Sequence, residues 1–379
     1  MPNVLIYADT LRSPELRHEL PIVIGDPFLY AEVNGSRHVV ISQMEIPRLA
    51  ELGLGLELHS SEELGSDELR EEGLGYDEIR DTLVVRFCER YGVNEAVVPD
   101  TFPVRLADHL RASGVALAPR GDLFNERRRV KTAAELAGIR RAQRAAEAGM
   151  AAAADLIRRA EPSGDSAYVD GAPLTTERVK SAIRLAFVEH GATSDEFIVS
   201  HGPQSAIGHE GGSGAIAPGE PILIDLWPRD DESGCFADMT RTFVVGEPDP
   251  QLAEWHRLVK EALDAAVAEI RPGVRGRAVY DRSCDVFERA GYPTQRTKEH
   301  GKPLEEGFFH GLGHGVGLEV HEDPGMGMVD KYELVPGDVV TVEPGLYKQG
   351  FGGCRLEDLV LVTEDGAEKL TEFPYDLNP

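Results

Sequence analysis

Four apolar stretches of this chain, Pro221 to Leu226, Thr240 to Val245, Val339 to Glu343 and Arg355 to Thr363, each carry an acidic residue within or beside the run. Runs of this kind read as buried β-strands. A carboxylate in such a strand is costly to bury unless it is paired or bound to a cation, so the fold has to bring each acid to a partner. Asp225 lies in PILIDLWP, and Asp238 lies thirteen residues on in CFADMTRTFVV, where a hairpin would set the two across one ladder. Taken singly, either Asp reads equally well as a turn or cap residue. Glu343 ends VVTVE just before Pro344-Gly345, and Glu357 lies in CRLEDLVLVT, where a period of two puts Arg355 and Glu357 on one face. An ion pair between Arg355 and Glu357 would be the plain explanation of those two.

The segment FFHGLGHGVGLEVHEDP holds His310, His314 and His321, three of the chain's twelve histidines. An isolated histidine is usually structural. Glycines on either side of His314, however, let backbone, metal or substrate approach closely, and neutral imidazole is a common metal ligand. If Asp225, Asp238, Glu343 and Glu357 converge with His314, four carboxylates match the charge of two divalent cations. An oxygen-rich set with one imidazole favours Mn²⁺, with Co²⁺, Fe²⁺ or Zn²⁺ as alternatives, and disfavours a closed structural zinc site. Two such ions can activate water beside a polarised carbonyl, which is hydrolase chemistry.

The rest of the chain frames this constellation. A length of 379 residues suits two domains, and 39 Lys plus Arg against 66 Asp plus Glu give a net charge of −27, so nucleic acid and anionic membranes are unfavoured partners. Cys88, Cys235, Cys284 and Cys354 are widely spaced, as expected of reduced thiols. The amino terminus MPNVLIYADT lacks a basic leader pattern, and no uncharged apolar run approaches membrane-spanning length, so a cytoplasmic protein is expected. Short apolar runs at Val4 to Tyr7, Ile22 to Ile24 and Val39 to Ile41 predict strands of an α/β layer, and the Glu-, Leu- and Gly-rich residues 51 to 83 read as an acidic solvated surface. PRGDLFNERRRVKT reads as a linker, placing the domain boundary near residue 125. Beyond it, Thr132 and Glu135 form a capping box for a long helix with Ile139, Ala142, Ala146 and Met150 on its core face. Thr176 is the expected cap of a second helix bearing Val179, Ile183 and Phe187, and a third follows Pro250. Helices with strands clustered around them indicate an α+β domain, and no glycine-rich phosphate loop is present.

The order Asp225, Asp238, His314, Glu343, Glu357, with the phrases VKTAAELAGIRRAQ, DMTRTF, HGLGHGVGLEVHE, TVEPGLY and RLED, resembles the pita-bread metallopeptidases of family M24, which include prolidase, aminopeptidase P and methionine aminopeptidase. The resemblance runs from about residue 131 to 374. It implies a pita-bread catalytic domain over residues 126–379 and a smaller α/β amino-terminal domain of creatinase/prolidase type over residues 1–125, which points to the Xaa-Pro peptidase branch. By resemblance, Asp225 and Asp238 hold one of two metals and His314 and Glu343 complete the second, with Glu357 and Asp238 bridging. Arg355 stands behind the ligands. Glu343 shuttles the proton, His321 stabilises the oxyanion, and His209 and His310 line the pocket. The implied reaction cleaves the bond between an N-terminal residue and proline through a metal-bridging hydroxide, in a homodimer.

Two departures qualify the match. The spacing from Asp225 to Asp238 is two residues longer than usual, which brings Asp230 and Asp231 into question as ligands, although DMTRTF favours Asp238. Gly325 stands where related prolidases often carry an arginine for the dipeptide carboxylate, which tilts the expectation toward longer Xaa-Pro peptides. The alternatives are a metal-dependent amide hydrolase acting on a small metabolite and a non-catalytic pita-bread module that binds peptide or protein.

Overall fold

Near-continuous burial along the first strands, whose alternate residues enter two different cores, explains the amino-terminal architecture. In the computed structural model, which describes residues 2–329 and 332–379, the chain divides into a unit running to Arg128 and a unit from Arg129 to Pro379. The first unit is a six-stranded mixed sheet of β1 (Val4–Ala8), β2 (Phe28–Val33), β3 (Ser36–Ile41), β4 (Glu57–Ser60), β5 (Glu95–Val98) and β6 (Ala116–Pro119). Its order is β4-β3-β2-β1-β5-β6, with β1 to β3 antiparallel and the β3-β4, β1-β5 and β5-β6 pairs parallel. Val4, Ile6, Phe28 and Tyr30 face one core with helices α1 (Pro14–Glu19) and α2 (Ile46–Ala50); Leu5, Leu29 and Ala31 face the other with α3 (Ser66–Glu71), α4 (Tyr76–Tyr91) and α5 (Val104–Ala112). This is the period-two consequence of a sheet covered on both faces.

Three expectations for this unit are corrected. Ile22 to Ile24 forms no strand, whereas Phe28–Val33 does. Residues 51 to 83 are not merely a solvated surface, because Leu64 in a short 3-10 turn, Leu69 in α3 and Ile79 and Leu83 in α4 are core residues, and Asp81 is buried with them while the other carboxylates stay exposed. The expected linker is helix α6 (Gly121–Arg129), which buries Phe124 and carries the basic cluster, with Arg127 paired to Glu19 and Glu32.

The second unit uses two helix pairs to cover the outer faces of two groups of strands. Helices α7 (Ala133–Arg158) and α8 (Thr176–Glu189) pack on each other and on β7 (Ile198–His201), β8 (Ile222–Leu226) and β9 (Met239–Phe243). Helices α9 (Pro250–Val267) and α10 (Gly276–Arg289) cover the strands β10 (Gly313–Gly315), β11 (Glu322–Met326), β12 (Val339–Val342), β13 (Gly345–Lys348), β14 (Gly352–Arg355) and β15 (Asp358–Val362), with β16 (Ala367–Lys369) an exposed edge strand beside β15. The predicted capping box closes α7: Thr132 Oγ1 accepts from the Glu135 amide at 3.2 Å and Glu135 Oε2 accepts from the Thr132 amide at 2.7 Å. The cap of α8 is Thr175, one residue before the predicted Thr176, because Thr175 is the extended residue whose hydroxyl accepts from Arg178 N. The segment 355–363 is not one strand. Arg355 ends β14 and Asp358 begins β15 in a different sheet, yet across the join Leu356 enters the core under α9 and α10 while Arg355 and Glu357 keep the expected shared face. All four cysteines are free and buried, and no helix among the described residues is long and apolar enough to cross a membrane.

Candidate metal centre

Strand alternation delivers the acids to one place. On β8, Ile222, Ile224 and Leu226 enter the core under α7 and α8, so Leu223 and Asp225 face the other way. Strand β9 pairs antiparallel with β8, Asp225 opposite Thr240, so Asp238, Thr240 and Thr242 share that inner face while Met239 and Phe243 go to the helices. On β12, Val340 and Val342 pack under α9 and α10, which turns Thr341 and then Glu343 inward. His314 sits at a bulge where β10 shifts register against β11, a device that re-aims a side chain. The flanking glycine is required: a Cβ on Gly313 would lie 2.1 Å from the Thr341 carbonyl oxygen.

Asp225, Asp238, His314, Glu343 and Glu357 all line one cavity of about 980 Å³, and His209, His310, His321 and Arg355 line it too. Ligand-competent atoms of Asp238, His314 and Glu357 lie within 4.8 Å of one another. His314 Nε2 is 3.7 Å from Asp238 Oδ2 and 3.5 Å from Glu343 Oε1. Asp230 and Asp231 do not line it. Asp230 is held by Arg141 at 2.8 Å and by Ser233, and Asp231 accepts from Thr193, so the longer hairpin loop supplies no ligand.

The expected pairing of Arg355 with Glu357 is replaced by another. Arg355 Nη2 meets Asp225 Oδ2 at 2.5 Å, and its Nε donates to Thr240 Oγ1, which in turn donates to Glu357 Oε2 at 2.6 Å. Arg355 and Glu357 both line the cavity, with Leu356 between them turned to the helices, but the guanidinium reaches across the site to Asp225 on β8. One guanidinium cannot neutralise four carboxylates. Burial, then the charges of Glu357, Asp225 and Glu343, push the Asp238 carboxyl well above its usual range. Burial, then Glu343 and Asp225, do the same to Glu357. Glu343 is pushed up to about 8, chiefly by burial, with Arg355 opposing.

These features fit divalent cations. Oδ1 of Asp225 and Oδ1 of Asp238 are buried without a hydrogen-bond partner. A Nδ1–H donated to the Gly315 carbonyl at 3.1 Å leaves the Nε2 lone pair of His314 aimed among carboxylate oxygens, an arrangement that a cation between them makes favourable. Burial and the neighbouring His321 ring hold His314 down to about 4, the neutral form a metal needs.

Sequence reasoning missed Tyr347, Thr240, Lys180 and Arg184. Arg355 donates to Tyr347 Oη at 3.0 Å, Tyr347 donates to His310 Nε2 at 2.8 Å, and His310 Nδ1–H donates to the Gly311 carbonyl, a relay that fixes the imidazole tautomer. Burial and then Arg355 hold His310 down to about 3. Tyr347 was visible in TVEPGLY beside Glu343. Lys180 and Arg184 also line the cavity; cations four residues apart on a predicted helix of so acidic a chain were the available signal.

Comparison with solved structures identifies the architecture as the two-domain pita-bread fold. A Xaa-Pro dipeptidase from Bacillus anthracis superposes with a TM-score of 0.79 at 25% identity, covering 99% of this chain and 94% of that one. An X-Pro aminopeptidase from Thermotoga maritima gives 0.77 at 22% identity over 98% and 96% of the two chains, a likeness of fold. Residues 137–364, more than half of the chain, match metallopeptidase family M24, and the chain belongs to that family. Membership implies divalent metal ions. In sequence it is 37% identical over 205 residues to "Probable dipeptidase PepE" of Mycobacterium tuberculosis, covering 54% of this chain and 51% of that protein. It is 33% identical over 231 residues to the Xaa-Pro dipeptidase of Pyrococcus furiosus, covering 59% and 62%. These matches thus span between half and two-thirds of the relatives' length.

Proposed function

We propose that this chain is a metal-dependent Xaa-Pro peptidase, hydrolysing the bond between an N-terminal residue and the proline that follows. The observation that carries the reading is the meeting of four carboxylates and one imidazole, drawn from five separate stretches of a family M24 chain, in one cavity. Asp225, Asp238, His314, Glu343 and Glu357 would hold two divalent ions, Mn²⁺ foremost. Bound there, such ions supply Lewis acidity and ease the ionisation of water.

The chain's own groups account for the remaining work. Glu343, inside the cavity, takes the proton of the attacking water on a carboxylate oxygen and passes it to the proline nitrogen as the C–N bond breaks. His321 donates to the carbonyl oxygen as it gains negative charge. His310, its tautomer fixed by Tyr347 and Gly311, and His209 orient the peptide. Arg355 positions Asp225 and, through Thr240, Glu357.

Relatives bearing the names Xaa-Pro dipeptidase and X-Pro aminopeptidase support proline specificity. Gly325 brings no cation to the site, which favours peptides longer than two residues. A cytoplasmic homodimer completes the proposal. The test is to assay Mn²⁺-reconstituted protein on Xaa-Pro, Xaa-Pro-Xaa and proline-free peptides. Cleavage of Xaa-Pro-Xaa above the other two is expected; equal turnover of proline-free peptides would overturn the specificity, and no turnover of any peptide would overturn the activity.

A further inference from the structure

A second group of metal-competent side chains lies in the amino-terminal unit, on the sheet face under α4. Parallel register sets His38 of β3 opposite Glu57 of the edge strand β4, and Val40 opposite His59. Alternation then puts His38, Glu57 and His59 on the same face, against Phe87 and Tyr91. His38 Nδ1 lies 3.2 Å from His59 Nε2 and 3.4 Å from Glu57 Oε2, and the three donor atoms fall within 4.8 Å of one another. Ligands at about 2.0–2.1 Å from a tetrahedral zinc stand about 3.3–3.4 Å apart, so two edges of such a site are already at length.

We propose that His38, His59 and Glu57 form a third divalent-metal site, suited to a borderline cation such as Zn²⁺, that ties the edge strand β4 to the sheet. The Tyr91 hydroxyl also stands at the group, 3.3 Å from His59 Nε2. Several observations besides distance support it. The histidines are only 3% and 8% exposed, and burial keeps both below the ordinary histidine range, in the neutral ligand form. Glu63 Oε2, 3.8 Å from His59 Nδ1, offers the other ring nitrogen the carboxylate partner that metal-bound histidines usually have. Residues 51 to 83, which include β4, carry eleven carboxylates against two arginines, a local potential that gathers cations. Glu57, half exposed, opens the site to solvent.

The test is hydrogen exchange on the full chain, held in excess Mn²⁺ so that its other metal centre is filled, with and without ZnCl₂. Zinc at ten or more times its Kd should slow exchange of the β4 amides at least about tenfold in the wild type. Glu57→Gln, a change at an exposed side chain, should abolish that protection and leave peptide hydrolysis unchanged. Identical β4 exchange with and without zinc, or zinc protection that survives Glu57→Gln, would overturn the site and leave a hydrogen-bonded histidine pair.

Discussion

At Glu343 one carboxylate is assigned two duties, holding a cation and carrying a proton, and its replacement separates them. Glutamine keeps the shape and an oxygen donor but cannot accept the water's proton, so Glu343→Gln should lower kcat by about 10²- to 10⁴-fold. Metal content has to be measured alongside; near-normal turnover in a fully loaded variant would remove Glu343 from proton transfer. The cations Lys180 and Arg184 pose a different question. They line the cavity of a chain whose net charge is −27, where they are suited to the free carboxylate of a peptide. Replacing both with alanine should raise KM several-fold for free-acid peptides while kcat is kept, and should leave C-terminally amidated peptides unaffected. An equal effect on acid and amide would deny them that contact.

Among the elements, β10 leaves no room for a side chain beside His314. A methyl group on Gly313 meets the Thr341 carbonyl oxygen at 2.1 Å, whereas one on Gly325, in the neighbouring β11, meets nothing within 4 Å. Gly313→Ala should therefore destabilise by about 1–3 kcal/mol and, by moving β10, drag His314 off its carboxylates and depress kcat further. Gly325→Ala should be close to neutral in thermal denaturation and in rate, and indistinguishable melting curves for the two variants would refute the packing argument. The same strands mark what was legible in the sequence. Asp225, Asp238 and Glu343 were readable because a charge inside an apolar run demands a partner, and the capping box of α7 because its partners are three residues apart. What failed depended on tertiary context. The alternation that puts Arg355 and Glu357 on one face was legible, but the partner Arg355 takes, Asp225, lies 130 residues away in sequence, so that pair was out of reach. Helices α3 and α4 were obscured because Gly65, Gly73 and Gly75 and the exposed acids around them set the look of the stretch, while the burying falls to Leu69 in α3 and to Ile79, Leu83 and the residues that follow in α4.

For the molecule as a whole, the consequence is a stability whose pH dependence changes with metal content. Without cations, Asp238, Glu343 and Glu357 all hold protons more tightly folded than their ordinary values, Glu343 at about 8. The native state then binds more protons than the unfolded chain between the usual carboxylate range and about pH 8, and unfolding free energy falls as pH rises across that window. Divalent ions reverse the preference by favouring the ionised carboxylates, and they stabilise the native state by mass action as well. Chelated protein should therefore melt at a lower temperature at pH 8 than at pH 5.5, while the metal-loaded protein should lose much less over the same interval. The gap between the two should widen toward alkaline pH. General repulsion from the net charge of −27 acts on both forms and cancels in the comparison. Thermal denaturation at several pH values, with and without EDTA, measures the gap directly, and parallel curves would mean that the carboxylates are neutralised by the protein alone.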